Sequence, residues 1–167
     1  MTPEQFVKYY HPFAKKVQDK TGISAIALLA QSAHETGWGA KVVGNMMFGV
    51  KDTDGLNGNE QLIATTEYHL TNKVKYPVIL SITRVGNRFK YLIKDWFRKY
   101  DSSEQSFMDH ALFIKSNPRY KTAWNVRHNP ELFLSFVASA GYATDPNYSQ
   151  LMQQMIVSVK KRLPNTA

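Results

Sequence analysis

Apolar residues recur at helical spacing at both ends of this chain and at alternate positions in its middle. Near the start, Phe6, Tyr10, Phe13 and Val17 share one helical face, with Thr2-Pro3 as cap and first residue and Gly22 as the stop. Pro12 falls inside that run and predicts a kink or a division. Ser24 caps a second helix, in which Leu28 and Leu29 alternate with the small Ala27, Ala30 and Ala33. Such all-round apolarity predicts an element running through the core. Residues 40–60 read as a loop. From Gln61 the period becomes two, with Leu62, Ala64, Thr66, Tyr68 and Leu70 on one face and Ile63, Thr65, Glu67 and His69 on the other. Val78–Val85 and Arg88–Phe97 predict two more strands, joined through Gly86-Asn87. Helical spacing then returns. Ser102-Ser103-Glu104-Gln105 fits a capping box ahead of Phe107, His110, Ala111 and Ile114, with Pro118 beyond the stop. Asn129-Pro130 opens a helix carrying Phe133, Phe136, Val137 and Ala140 and ending at Gly141. Asp145-Pro146 opens the last, with Tyr148, Leu151, Met152, Met155 and Val159 inward and Lys160, Lys161 and Arg162 at its negative end. The expected class is α+β, mainly α: one domain over 1–167 with a small antiparallel β-lobe at about 61–97.

Composition narrows the chemistry. A chain of 167 residues, 43% hydrophobic and 20% charged, has the make-up of one globular domain with a real core. The absence of cysteine excludes disulfides, thiol nucleophiles and thiolate metal sites together. The five histidines show no ligand spacing, and the residue four beyond His34 is Trp38, so His34-Glu35 does not begin a zinc-peptidase motif. No metal and no cofactor is expected. In Asp52-Thr53-Asp54-Gly55-Leu56, Leu56 stands where a calcium loop needs its third ligand. A net charge of +8 points to a polyanionic partner, nucleic acid or the acidic polymers of a bacterial wall, or to plain solubility. The basic residues are dispersed and no nucleic-acid-binding signature is present, so no nucleic acid is expected. No apolar run approaches membrane-spanning length, and Met1-Thr2-Pro3-Glu4-Gln5 is not a signal peptide. The reading is therefore no membrane insertion, with a leader removed or delivery of the kind that phage lysis uses.

The segment with the most chemistry is Ala30-Gln31-Ser32-Ala33-His34-Glu35-Thr36-Gly37-Trp38-Gly39. It carries one carboxylate, Glu35, to the last turn of the apolar helix and stops on glycine. The negative end of the helix dipole and desolvation by Trp38 would both favour the protonated acid, which could then donate a proton near neutral pH. On position alone, a last-turn glutamate is more often a solvated surface residue; the rest of the sequence decides.

An interior helix ending in Glu, a small sheet bearing a second Glu, and further helices form the arrangement of lysozyme-like enzymes. The words themselves are more specific. The Glu35 segment, Asn45-Met46-Met47-Phe48-Gly49-Val50-Lys51 (with one residue inserted or shifted), Thr65-Thr66-Glu67-Tyr68, Phe97-Arg98-Lys99-Tyr100-Asp101-Ser102 and Ala140-Gly141-Tyr142-Ala143-Thr144-Asp145-Pro146-Asn147-Tyr148 occur in the order found in one family. Together they resemble the bacterial glucosaminidases of glycoside hydrolase family 73, the group that includes the flagellar rod-cap hydrolase domain and autolysins. The resemblance implies a lysozyme-like fold and hydrolysis of the β-1,4 bond on the reducing side of N-acetylglucosamine in peptidoglycan. By residue match it implies Glu35 as general acid, Glu67 as second carboxylate and Tyr142 as a residue positioning substrate or reacting groups. Trp38, Asn45 and Phe48 would shape the floor of the sugar site. The implied partner is the peptidoglycan glycan strand, the implied place of action the cell wall, periplasm or extracellular space, and the expected state a monomer. The segment from Tyr68 to Phe97 is longer than a minimal hairpin, so an enlarged β-lobe is expected, its lysines and arginines either holding anionic wall polymer or forming a solvated face. Two rivals stand beside this reading: a lytic transglycosylase on the same fold and a non-catalytic wall-binding module.

Overall fold

The structure, a computed structural model, describes residues 1–164; the last three positions of the expected domain lie outside them. Two compact units emerge: residues 1–48 together with the chain from Tyr100 onward, and Gly49–Lys99.

The first unit is helical. Helix α1 (Pro3–Thr21) starts on a full capping box between Thr2 and Gln5 and stops at Gly22, whose φ of 80° is left-handed. It is not divided at Pro12, as the sequence had suggested. Pro12 is exposed, so the carbonyl of the preceding turn, left without an N–H donor by the proline, faces water. Helix α2 (Ala25–Thr36) starts under the Ser24 cap, and nine of its 12 residues are buried, as its all-round apolarity predicts. Around it pack α1, α5 (Pro130–Ser139) and α6 (Tyr148–Lys160), while α3 (Ser103–Ser116) packs on α1. Phe6, Leu28, Leu29, Phe107, Phe133 and Met152 fill the core with no exposed surface.

Three details depart from the sequence reading. Ser102 caps α3, but the reciprocal arm of the box is displaced by one residue, because the Gln105 carbonyl accepts from the Asp101 N–H rather than from Ser102. On α5, Phe136 is 39% exposed and Leu134 is fully buried, so the inward stripe runs through Phe133, Leu134 and Val137 rather than through Phe136. A single helical turn at Pro118–Tyr120 and the short α4 (Lys121–Asn125) fill what the sequence left as connection.

The second unit holds a three-stranded antiparallel sheet, β1 (Glu60–His69), β2 (Val78–Val85) and β3 (Arg88–Arg98), in the order β1-β3-β2. The two-residue hairpin at Gly86-Asn87 is present, with Val85 opposite Arg88 and Gly86 at a φ of 62°. The predicted alternation on β1 is observed: Ile63, Thr65, Glu67 and His69 face the covered side and Leu62, Ala64, Thr66 and Tyr68 the exposed side. In register, Glu67 stands opposite Tyr91 and Ile63 opposite Asp95. The fold is thus α+β and mainly helical, as expected.

Candidate active site

In the helical unit, the site is built on the C-terminal turn of α2. Gly37 caps that helix in the left-handed region, its N–H bonded to the Ala33 carbonyl, and Trp38 and Gly39 continue at positive φ. The chain therefore leaves α2 within three residues, and Glu35 is held by a rigid element that stops immediately beyond it. Glu35 is exposed to solvent, yet enough protein surrounds its carboxyl for burial to raise its pKa above the ordinary carboxylate value, His34 pulling weakly the other way. The direction matches the sequence reading, and desolvation is its cause.

Beneath Glu35, one turn back along α2, lies Gln31, which is completely buried. Its amide donates to the Tyr148 hydroxyl at 3.1 Å, and its carbonyl accepts from Nε2 of His110 at 2.9 Å. That assignment makes Nε2 of His110 the protonated nitrogen. Burial pushes the His110 imidazole down to about 3, so it is neutral at any physiological pH. Phe48 stacks flat on the His110 ring, centroids 3.8 Å apart and 9° from parallel. Tyr142 lies edge-on to His110 at 5.8 Å and stacks on Tyr148 at 5.7 Å. Desolvation raises both phenols well above their ordinary value, with the charge of Glu35 adding to the effect in each. Both therefore remain hydroxyls, able to donate. Of the residues singled out in the sequence, the structure brings Glu35, Tyr142 and Phe48 into this one neighbourhood, and it adds Gln31, His110 and Tyr148. Gln31 had a signal: it is the one amide inside an alanine-leucine helix, four residues before Glu35.

Two expected contacts go elsewhere. Trp38 packs edge-on against Phe6 at 5.6 Å and under the Arg162 guanidinium at 5.9 Å, so its ring contacts are with α1 and the end of α6. Asn45 adopts a φ of 55°, and its side-chain amide donates to the Tyr100 carbonyl at 2.9 Å. It ties two loops together.

In the β unit, Glu67 lies on the covered face of β1 and is one-third exposed. Its Oε1 meets the Lys51 ammonium at 3.2 Å, and the same ammonium is 3.2 Å from Oδ2 of Asp95. Lys51 also lies over the Tyr76 ring at 5.9 Å, and the Tyr76 hydroxyl bonds Nε2 of His69 at 2.6 Å. This cluster leaves no mark in the sequence, because its members come from two strands and two loops. The acids of the 52–60 loop cap its own backbone: Asp52 accepts from Gly55, and Glu60 from Asn57 and Gly58. Among the described residues, no group of three or more His, Cys, Asp or Glu is placed to hold a metal ion. No described helix is long and apolar enough to cross a membrane.

Known proteins share the sequence and the fold of this chain. The chain is 34% identical over 160 residues to the peptidoglycan hydrolase FlgJ of Vibrio parahaemolyticus, a match covering 92% of this chain and 46% of that protein. It therefore spans less than half the length of the curated relatives it matches first. Among solved structures it resembles a C-terminally truncated glycoside hydrolase domain of Salmonella typhimurium FlgJ, with 29% identity and a TM-score of 0.73 over 96% of this chain and 99% of that one. It also resembles a peptidoglycan hydrolase mutant from Sphingomonas sp. A1, with 26% identity and a TM-score of 0.68 over 95% and 97% of the two chains. The profile of the glucosaminidase family, described as mannosyl-glycoprotein endo-beta-N-acetylglucosaminidase, matches residues 11–161. A profile match over nearly the whole chain, whose buried helix α2 carries Glu35 at its end, places this protein in the glucosaminidase family of glycoside hydrolases.

Proposed function

We propose that this chain hydrolyses peptidoglycan glycan strands at the β-1,4 bond on the reducing side of N-acetylglucosamine, with Glu35 as general acid. The observation that carries the reading is the Glu35 carboxyl itself: fixed at the end of a buried helix, with its pKa raised by desolvation above the ordinary carboxylate value. In the reaction, Glu35 gives its proton to the glycosidic oxygen as the bond from C1 to that oxygen breaks. The oxygen of a water molecule bonds to C1, and its proton passes to a base. Glu67, ion-paired and on the covered face of its strand, supplies the second carboxylate. Tyr142, held as a neutral hydroxyl beside Tyr148, positions substrate. Phe48 shapes the floor of the sugar site from beneath by stacking His110, while Trp38 and Asn45 shape it through the turns they hold. The domain acts as a monomer in the cell wall or periplasm, without nucleic acid and without membrane insertion.

Mass spectrometry of digested sacculi tests bond and reaction at once. Reducing N-acetylglucosamine ends are expected. Anhydro-muramyl ends would assign the chain to the lytic transglycosylases instead. Glu35→Gln should lower hydrolysis by at least about a hundredfold without changing the thermal unfolding midpoint. A chain that clears no wall material at any concentration would be a binding module.

A further inference from the structure

We infer that Lys51 is a positioning residue for Glu67, its ammonium clamping that carboxylate in one pose from a frame built by Asp95 and Tyr76. The inference rests on the assignment of Glu67 as second carboxylate. Lys51 pairs with Phe97 of β3 in an isolated bridge, on the edge of β3 away from β1, so its side chain must reach across the covered face to meet Glu67. The frame it crosses is fixed. Asp95 accepts from the Trp96 N–H at 2.8 Å through Oδ1, which leaves Oδ2 for Lys51 at 3.2 Å. Tyr76, under the ammonium, is tied to His69. Behind it, Tyr91 accepts from the Val74 N–H and donates to the Thr71 carbonyl, pinning the loop that carries Tyr76. Burial alone would lower the Lys51 pKa, but its hydrogen bonds to Asp95 and Glu67 outweigh that and raise it, so the cation is permanent.

A half-exposed ion pair adds little to stability. One that joins two acids through a single ammonium, over an aromatic ring, has its main effect on geometry and charge. The charged and titratable groups around Glu67 are Lys51 from the loop before β1, His69 on β1, Tyr91 and Asp95 on β3, and Tyr76 on the loop after β1. Lys51 is the only fully charged cation in that set.

The test compares the whole chain with Lys51→Met and Lys51→Arg. Lys51→Met should lower kcat about five- to tenfold with KM within about twofold, since the loss falls on the reacting group rather than on sugar contacts. Removing the cation should also move the acid limb of the pH–rate profile upward by about half to one unit. Lys51→Arg should restore both. The carboxyl titration of Glu67, followed by carbon NMR in a Glu35→Gln background with and without Lys51→Met, reads the same coupling without activity. An unmoved Glu67 titration overturns the proposal itself. A moved titration with an unmoved activity limb overturns the role of Glu67 on which it rests, while loss of all hydrolysis in wild type would overturn the enzyme assignment alone.

Discussion

Gln31 uses both ends of its amide on buried neighbours, and burial holds His110, the donor of one of those bonds, in its neutral form. The cost shows on acidification. The folded imidazole titrates at about 3 against an ordinary 6.5, so between those values the unfolded chain binds a proton that the folded one refuses. This contribution to stability is complete above pH 6.5 and declines as the pH falls toward 3, by a few kcal/mol at most, on the order of 1.4 per pH unit. Urea unfolding at a series of pH values should show that slope, and His110→Phe should flatten it at the price of an unpaired Gln31 carbonyl. The sign for Glu35 is opposite in its consequence for catalysis. Its raised pKa keeps the acid protonated further up the scale, and activity should fall as the pH climbs through that value. A rate that stays flat to strongly alkaline pH would remove Glu35 from the acid role. Glu35 and Tyr142 were legible in the sequence because each sits inside a long family word. Gln31, His110 and Tyr148 were legible only as packing residues, since the bonds that join them cross between three helices.

Helix α1 runs unbroken through Pro12, and this sets an expectation at the level of the element. An interior proline leaves the carbonyl one turn back, at Lys8, without its donor and crowds it with the ring. Pro12→Ala should therefore stabilise the protein by about 1–3 kcal/mol, measured as a shift in denaturation midpoint at constant m-value. No gain would mean that solvent already satisfies the Lys8 carbonyl. The element boundaries that the sequence predicted well carry local chemistry: Thr2 and Ser24 caps, the Gly22 stop, the Gly86-Asn87 hairpin. One signal misled: Asp145 accepts from the Asn147 N–H within a turn, so α6 begins at Tyr148 rather than at Asp145-Pro146. Other elements had no signal. Residues 118–125 form one turn and a five-residue helix, too short for periodicity to register. On α5, Leu134 and Phe136 are both apolar, and only tertiary packing decides which of them turns inward.

For the whole molecule, the net charge of +8 should make association with an acidic wall polymer salt-dependent. Pelleting with sacculi is expected to weaken steadily between low salt and about 0.5 M, and binding indifferent to salt would show that neutral sugar contacts dominate. The molecule also has a seam. Its helical unit is assembled from the two ends of the chain, and the residues between Phe48 and Tyr100 depart and return at one place. There the Tyr100 N–H is bonded to the Gly44 carbonyl at 2.9 Å, and the Asn45 amide reaches back to the Tyr100 carbonyl. Because those bonds close the helical unit on itself, its packing does not depend on the length of the excursion between them. Lengthening or trimming the hairpin at Gly86-Asn87 should leave the melting of the helices unchanged, so that this lobe is free to be reshaped while Glu35 stays where it is.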